Sequence, residues 1–464
     1  MDYRIENDSL GEVKVPADKL YGAQTARAVE NFPIGEEKMP IEIVRAYGIV
    51  KKAAVLANHE QELINRSKRD YILRAADELI AGKLDQHFPI SLWQTGSGTQ
   101  TNMNVNEVIA NRISQMAGKE LGSKSPVHPN DDVNMSQSSN DTFPTAMAVA
   151  AVLKVEDFLL PIFEELKSEL NSKAEKYSDL VKVGRTHLMD ATPITLGQEF
   201  AAFKAQLEDI IEMLNDSLKY IKKVPLGGTA VGTGLNTKEG FAEKAVKYIN
   251  LEIDKDFIPA GNKSAGLAAH DSFVNLSGVL KTAASFLMKL ANDTRWLSSG
   301  PRCGIGEIKI PKNEPGSSIM PGKVNPTQAE ALFQAAAQVM ANDTAVNIGG
   351  GSGNFQLNVA KPLIIYNILQ SVRLLGDAAQ SYNKRCLSGI EANEDKIDEY
   401  LENSLMLVTA LNPVIGYDKA AEIAQKAFKE KMSLKDAAVS LGYLNEEEFE
   451  KYVNPKKMTE ANIE

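Results

Sequence analysis

The chain is 464 residues long, 43% apolar, 24% charged and only 6% aromatic, and it carries a net charge of −10. That length exceeds what one hydrophobic core comfortably holds, so two or three domains are expected, with a composition ordinary for a globular protein. The negative balance is a mixture of signs spread along the chain, which argues against nucleic acid or an anionic membrane as partner but leaves room for a small anion held by local cations.

Residues 1 to about 40 mix turn formers with isolated apolar residues and predict only short irregular elements. From Ile41 to Ala81 apolar residues recur at helical spacing, through Ile43, Ala46, Val50, Ala53 and Ala57, then Ile72, Ala75, Ala76 and Leu79; two helices are expected. A polar loop, Gln94–Gln100, precedes a helix over Asn104–Ala117, and the turn-rich stretch after it ends in His128-Pro129-Asn130-Asp131. From Asp141 the spacing of Phe143, Met147, Ala150, Phe158, Ile162, Leu166 and Leu170 predicts a helix of about thirty residues, roughly 45 Å, kinked or broken at Pro161. Similar stretches over Thr195–Lys222, Gly266–Ser299, Thr327–Asn347 and Lys361–Leu387 complete five long helices, an elongated and mainly α bundle. Several are apolar on more than one face, as at Ala335-Ala336-Ala337, so a homo-oligomer is expected. After Glu391 the composition shifts to short charged helices over Asp395–Glu402, Leu405–Leu411, Tyr417–Lys429 and Ser433–Leu441. The last resembles a helix-turn-helix opening, but its acidic surroundings favour a small structural cap.

Four polar segments stand out against this background, each next to a predicted long helix. Gly96-Ser97-Gly98-Thr99 is one residue short of a dinucleotide fingerprint but lacks the surrounding strand–helix alternation; its hydroxyls and amides suit a carboxylate. Ser138-Ser139-Asn140-Asp141 precedes an apolar run and is both a helix cap and, through the free N–H groups of a helix start, an anion site. Gly184–Pro193 holds His187 between Thr186 and Asp190, a loop histidine with the means to be oriented as an acid or base. Gly316–Pro326 is rich in proline and glycine, hence a loop, and carries Ser317, Ser318, Lys323 and Asn325. A serine base there requires its alkoxide to be stabilised by loop amides and Lys323, and Glu330 on the following helix is placed to pair with His187. Together these groups suit proton abstraction next to a carboxylate, with loss or addition of a group at the neighbouring carbon.

Two cysteines, Cys303 and Cys386, are too few for a disulfide framework or an iron–sulfur cluster, and the five histidines show no metal-ligand spacing; no metal and no cofactor is expected. The segment Met1 to Lys19 has no apolar signal core and no stretch reaches membrane-spanning length, so a cytoplasmic location is expected.

Trp93–Thr99, Asn102–Glu107, His128–Asn134, Ser136–Asp141, Gly184–His187, Leu226–Asn236 and Gly316–Pro326 resemble, in order and separation, the segments of class II fumarases within the fumarase/aspartase superfamily. The resemblance spans nearly the whole chain. It implies a three-domain fold, with an N-terminal domain over 1–138, a central bundle over 139–391 carrying loop 316–326, and a small helical domain over 392–464. It also implies a 20-helix tetramer core, metal-independent reversible hydration of fumarate to L-malate, and active sites that each draw loops from three subunits. Carried over by position, Ser317 matches the catalytic base and His187, supported by Glu330 through a water, the group acting on the hydroxyl side. Ser97, Gly98, Thr99, Ser138, Ser139, Asn140, Thr186, Ser318, Lys323 and Asn325 match substrate-binding positions. His128, Pro129, Asn130 and Asp131 match a second dicarboxylate site, weakened here because Ser125-Pro126 stands where bacterial relatives often carry Arg-Lys. Aspartases are the nearest alternative, but they usually read Gly-Ala-Gly-Thr-Ser and Gln-Ser-Thr-Asn-Asp where this chain has Gly96–Gln100 and Gln137–Asp141. A non-catalytic crystallin-like role is the third, opposed by intact candidates for every catalytic position.

Overall fold

The protein is described here by a computed structural model covering residues 2–461; Met1 and residues 462–464, the outer ends of the first and last expected domains, lie outside the described residues. Helices dominate, and among the described residues the strands pair as four two-stranded sheets. Two compact units are interleaved along the chain: Met1–Pro161, Ile210–Ala284 and Ala335–Gly376 form the first, and Ile162–Asp209, Ser285–Gln334 and Asp377–Glu464 the second.

The first unit opens with an antiparallel hairpin, β1 (Tyr3–Asp8) and β2 (Gly11–Pro16), then α1 (Ala23–Asn31). Sequence predicted irregular structure here. The strand's alternation is inverted: Tyr3 and Ile5 face outward, 55% and 54% exposed, while Arg4 and buried Glu6 face inward and bond each other at 2.8 Å. Helices α2 (Ile41–Glu60) and α3 (Arg66–Ile80) form as expected. Helix α4 (Thr99–Met116) starts at Thr99 rather than Asn104, because its first turns bury Thr101, Asn102 and Asn104 instead of apolar side chains.

The long helix expected from Asp141 is α5 (Ser139–Lys154), a π-helical turn at Val155–Leu159, and α6 (Leu160–Lys176). The π-turn immediately before Pro161 lets the helical path pass a residue that has no N–H to donate. In unit 1, α2 packs against α3, α5 and α8 (Phe241–Ile253), with Tyr47 and Phe143 edge to face at 6.1 Å.

Between α6 and α7 (Leu196–Ile221) the chain makes a second antiparallel hairpin, β3 (Val181–Thr186) and β4 (Met189–Thr195), where sequence predicted a loop. The stretch predicted as one helix over Gly266–Ser299 is split into α9 (Lys263–Ala268) and α10 (Asp271–Leu297). At the break, Asn358 donates its backbone N–H to Leu267 O, a tertiary bond that local periodicity does not encode. Helices α11 (Thr327–Gly350) and α12 (Lys361–Arg385) match their expected spans closely.

The C-terminal helices α13 (Glu394–Asn403), α14 (Asn412–Ile415), α15 (Tyr417–Glu430), α16 (Leu434–Ser440) and α17 (Glu446–Tyr452) follow. Leu411, Ile423, Ala427, Ala437, Ala438 and Phe449 form a small core of their own in this region. Among the described residues no helix is long and apolar enough to cross a membrane.

Candidate active site

In unit 1, two of the predicted segments lie at helix starts. Gly98 is the N-cap of α4, at φ +79°, and a Cβ there would stand 2.0 Å from the Phe143 ring. Gly96 is tighter still, since its Cβ would fall 1.3 Å from Val359 O. Glycine is therefore required at both positions, and even an alanine would cost at least about 1–3 kcal/mol in overpacking. Ser97 and Thr99 bond each other through their hydroxyls at 2.8 Å.

Ser138 caps α5: its Oγ accepts from Asn140 N, and Asp141 Oδ1 accepts from Ser138 N, a reciprocal capping box. The other oxygen of Asp141 accepts from Gly227 N at 3.0 Å and Thr229 N at 2.9 Å, so the glycine-rich Leu226–Asn236 segment is folded onto the helix start. Asn140 donates to Ala230 O and Ser139 Oγ accepts from Asn102 Nδ2. Burial pushes Asp141 up to about 6 despite these three N–H bonds.

Two buried lysines were not singled out from sequence. Lys51 is 1% exposed and donates to Asn102, Asn134 and Gln137. Lys361, fully buried, donates through its ammonium to Asn140 O at 3.5 Å. Burial draws each of them down to about 7, opposed by the charge of Asp141. The signal for Lys51 was positional: it falls one helical turn after Tyr47, on the apolar stripe of α2.

His128 lies half-buried before a π-helical turn, and its Nδ1 accepts from Asn130 N and Asp131 N. Buried Asp132 holds the segment by accepting from His128 N at 2.8 Å and pairing with Lys68 at 2.7 Å. Pro129 and Asn130 border a hollow of about 370 Å³ that also contains Glu107 and Lys124. Lys124 donates to Asn7 O rather than to the His128 segment.

In unit 2, Thr186 and His187 are at the tip of the β3–β4 hairpin, with His187 and Leu188 both left-handed at φ 58° and 62°. That is the turn geometry a two-residue hairpin demands. The hairpin is anchored along β3 by Glu307, fully buried, which takes both guanidinium arms of Arg185 at 3.0 and 2.8 Å and pairs with Lys182 at 3.1 Å. The tip is bare: Leu188 and Met189 are 71% and 70% exposed. No hydrogen bond or ion pair joins His187 to Glu330 among the described residues.

The Gly316–Pro326 segment is a loop, as predicted. It is closed by Gly316 N donating to Lys323 O at 2.9 Å and by Asn325, which bonds Gly316 O and accepts from Lys323. Ser317 Oγ accepts from the backbone N–H of Met320 at 3.0 Å and of Ile319 at 3.3 Å. Ser318 and Lys323 are exposed. Lys323, Asn325 and Glu330 line a cavity of about 830 Å³ together with Arg295, Lys309 and Lys312, so cations outnumber carboxylates in its wall. Ser317 borders a neighbouring hollow of about 410 Å³ that shares Lys312 and Lys323.

One set of candidates is thus gathered in unit 1 and another in unit 2. The first offers oriented hydroxyls and a helix start for a carboxylate, and the second a serine with backbone donors at its oxygen beside a cationic hollow. No group of His, Cys, Asp and Glu among the described residues has the arrangement of a metal site.

Residues 11–341 match the family described as Lyase, and residues 407–460 match Fumarase C C-terminus. The chain is 56% identical over 457 residues to fumarate hydratase class II of Thermosynechococcus vestitus, covering 98% of each. It is also 56% identical to the mitochondrial fumarate hydratase of Danio rerio, covering 98% of this chain and 90% of that one. Its fold superposes on the class II fumarase of Schistosoma mansoni with a TM-score of 0.96 at 41% identity, covering 99% of both chains. Identity at this level over the full length, on a shared fold, means that the chain belongs to the class II fumarate hydratase family.

Proposed function

We propose that the protein catalyses the reversible hydration of fumarate to L-malate, with Ser317 as the carbon-side base and His187 as the hydroxyl-side acid. The observation that carries this is the pair of N–H groups, from Ile319 and Met320, aimed at Ser317 Oγ. A serine hydroxyl is far too weak an acid to serve as a base unless its alkoxide is stabilised, and these donors, with Lys323 nearby in the loop, supply that stabilisation. The activity of the family's named members supports the same reading.

In the dehydration of malate Ser317 takes a proton from C3, and the electron pair passes into the adjacent carboxylate, which then carries two negative charges. His187, supported by Glu330 through a water, protonates the C2 hydroxyl as its C–O bond breaks, releasing water and fumarate. Ser97, Gly98, Thr99, Ser138, Ser139, Asn140, Thr186, Ser318, Lys323 and Asn325 hold the two carboxylates. Fixed donors there act without reorganising as charge grows. His128, Pro129, Asn130 and Asp131 form a second, weaker dicarboxylate site.

The working unit is a homotetramer in which three chains contribute to each site. Its support is the apolar exposure of the His187 hairpin tip and of Trp296, Ile348 and Phe355, the last 93% exposed. Two free cysteines support a cytoplasmic setting. An assay with malate, fumarate and aspartate tests the activity: malate loses water and aspartate releases no ammonia. Ammonia from aspartate, or inert malate, overturns the proposal.

A further inference from the structure

We propose that Lys51 is a positioning residue whose ammonium sets the direction of the Asn102–Ser139 hydrogen bond, leaving the Ser139 hydroxyl proton free for a substrate carboxylate. The inference deepens the fumarate hydratase reading and rests on it.

An ammonium has three donors and no acceptor. Lys51 Nζ spends all three on amide oxygens: Asn102 Oδ1 at 2.8 Å, Gln137 Oε1 at 3.0 Å and Asn134 Oδ1 at 3.1 Å. An asparagine amide can otherwise be turned either way, and only its partners decide which end faces where. With its oxygen held by the lysine, the Asn102 amide must present Nδ2 on the other side, where it donates to Ser139 Oγ at 3.0 Å. The serine oxygen is therefore an acceptor toward the interior. Its own proton has no acceptor among the described residues, at a helix start already suited to an anion.

The same clamp sets the 134–137 turn that leads into α5. Asn134 Nδ2 donates to Gln137 O, and Gln137 Nε2 donates to Val133 O and Met135 O, so each amide is oriented by the lysine at one end and by backbone at the other. The segments that start α4 and α5 are thus tied to one buried cation. It has no direct carboxylate partner among the described residues; Asp141 acts on it only at a distance. Asn102 Nδ2 also donates to Asn134 Oδ1 at 3.1 Å, itself an oxygen that the lysine holds. Replacing the lysine with an apolar side chain releases both amide oxygens from the cation, and Asn102 can then turn over. Its oxygen then captures the Ser139 proton, and a dianion loses a donor.

A double-mutant cycle on L-malate kinetics tests this. Ser139→Ala is expected to raise KM about tenfold. Lys51→Met is expected to raise KM by a similar factor with kcat within about threefold. The double variant is expected to be no worse than Ser139→Ala alone, because both changes remove the same donor. A Lys51→Met enzyme with unchanged KM, or a double variant whose KM rise is the product of the single ones, overturns the proposal. If Ser139→Ala alone leaves KM unchanged, the assignment of the unit 1 substrate site fails with it. Should Lys51→Met not fold, Asn102→Asp asks the same question. It keeps the side chain's size and the lysine bond but turns the inward donor into an acceptor, so KM must rise; an unchanged KM overturns the proposal.

Discussion

The two sets of candidate residues differ in how much of their geometry is settled within one chain. In unit 1 the hydroxyls and amides of Ser97–Thr99 and Ser138–Asn140 bond to each other and to neighbouring segments, above buried Lys51, Asp141 and Lys361. In unit 2 the hairpin is rigidly anchored at Arg185 and Glu307, but His187 at its tip and much of the Gly316 loop are bare. The difference matches a division of labour. On the proposed assignment, the groups that hold the dianion are preorganised by burial, while the groups that move protons are exposed.

The largest expected effect lies in the less settled half. Ser317→Ala is expected to lower kcat about 10³-fold or more while native mass stays that of wild type. Near-normal turnover would remove serine as base and move the reactive half of the comparison elsewhere. His187→Asn is expected to lower kcat about 100-fold and to flatten one limb of the pH–rate profile; an unchanged profile argues against its acid role.

The preorganised half should respond in KM instead. Ser97→Ala is expected to raise KM for malate roughly three- to tenfold with little change in kcat, the cost of one hydrogen bond to a charged group. A kcat effect as large as that of His187→Asn would erase the distinction between the two halves.

A separate prediction, on stability rather than turnover, sharpens the electrostatic side. Lys361 has an ordinary value of 10.5 that burial lowers to about 7 in the fold, so between those values the unfolded chain binds the extra proton. Stability therefore rises with pH through that window, by up to about 1.4 kcal/mol per pH unit. Lys361→Met lacks this contribution, so the thermal midpoint of wild type should rise relative to that of the variant from pH 7 to 10. A constant gap would show that Lys361 is not titrating as a buried amine.

The long helices were legible because their apolar spacing is set by helix geometry and each is long enough to average out exceptions. The N-terminal hairpin was not, since it turns an Arg4–Glu6 pair inward and its apolar residues outward. The Gly184–Pro193 segment read as a loop because Gly184 and Pro193 weaken a strand pattern; only pairing across the hairpin, with its bulge near Val183, makes it a sheet. Ser317, Lys323 and His187 stood out as polar groups in an apolar helical chain, and family resemblance assigned their roles. Lys51 and Lys361 did not stand out, because a lysine in a helix is ordinarily a solvated one.

The amino-acid order alone determined that this would be a mainly helical protein with conspicuous polar loops of a recognisable kind, because periodicity and turn chemistry are local properties. Tertiary structure decided which of those polar groups are held and which are left bare. It also decided which lysines lose water and which amide ends face which serine, because burial and hydrogen-bond direction depend on segments distant in the chain.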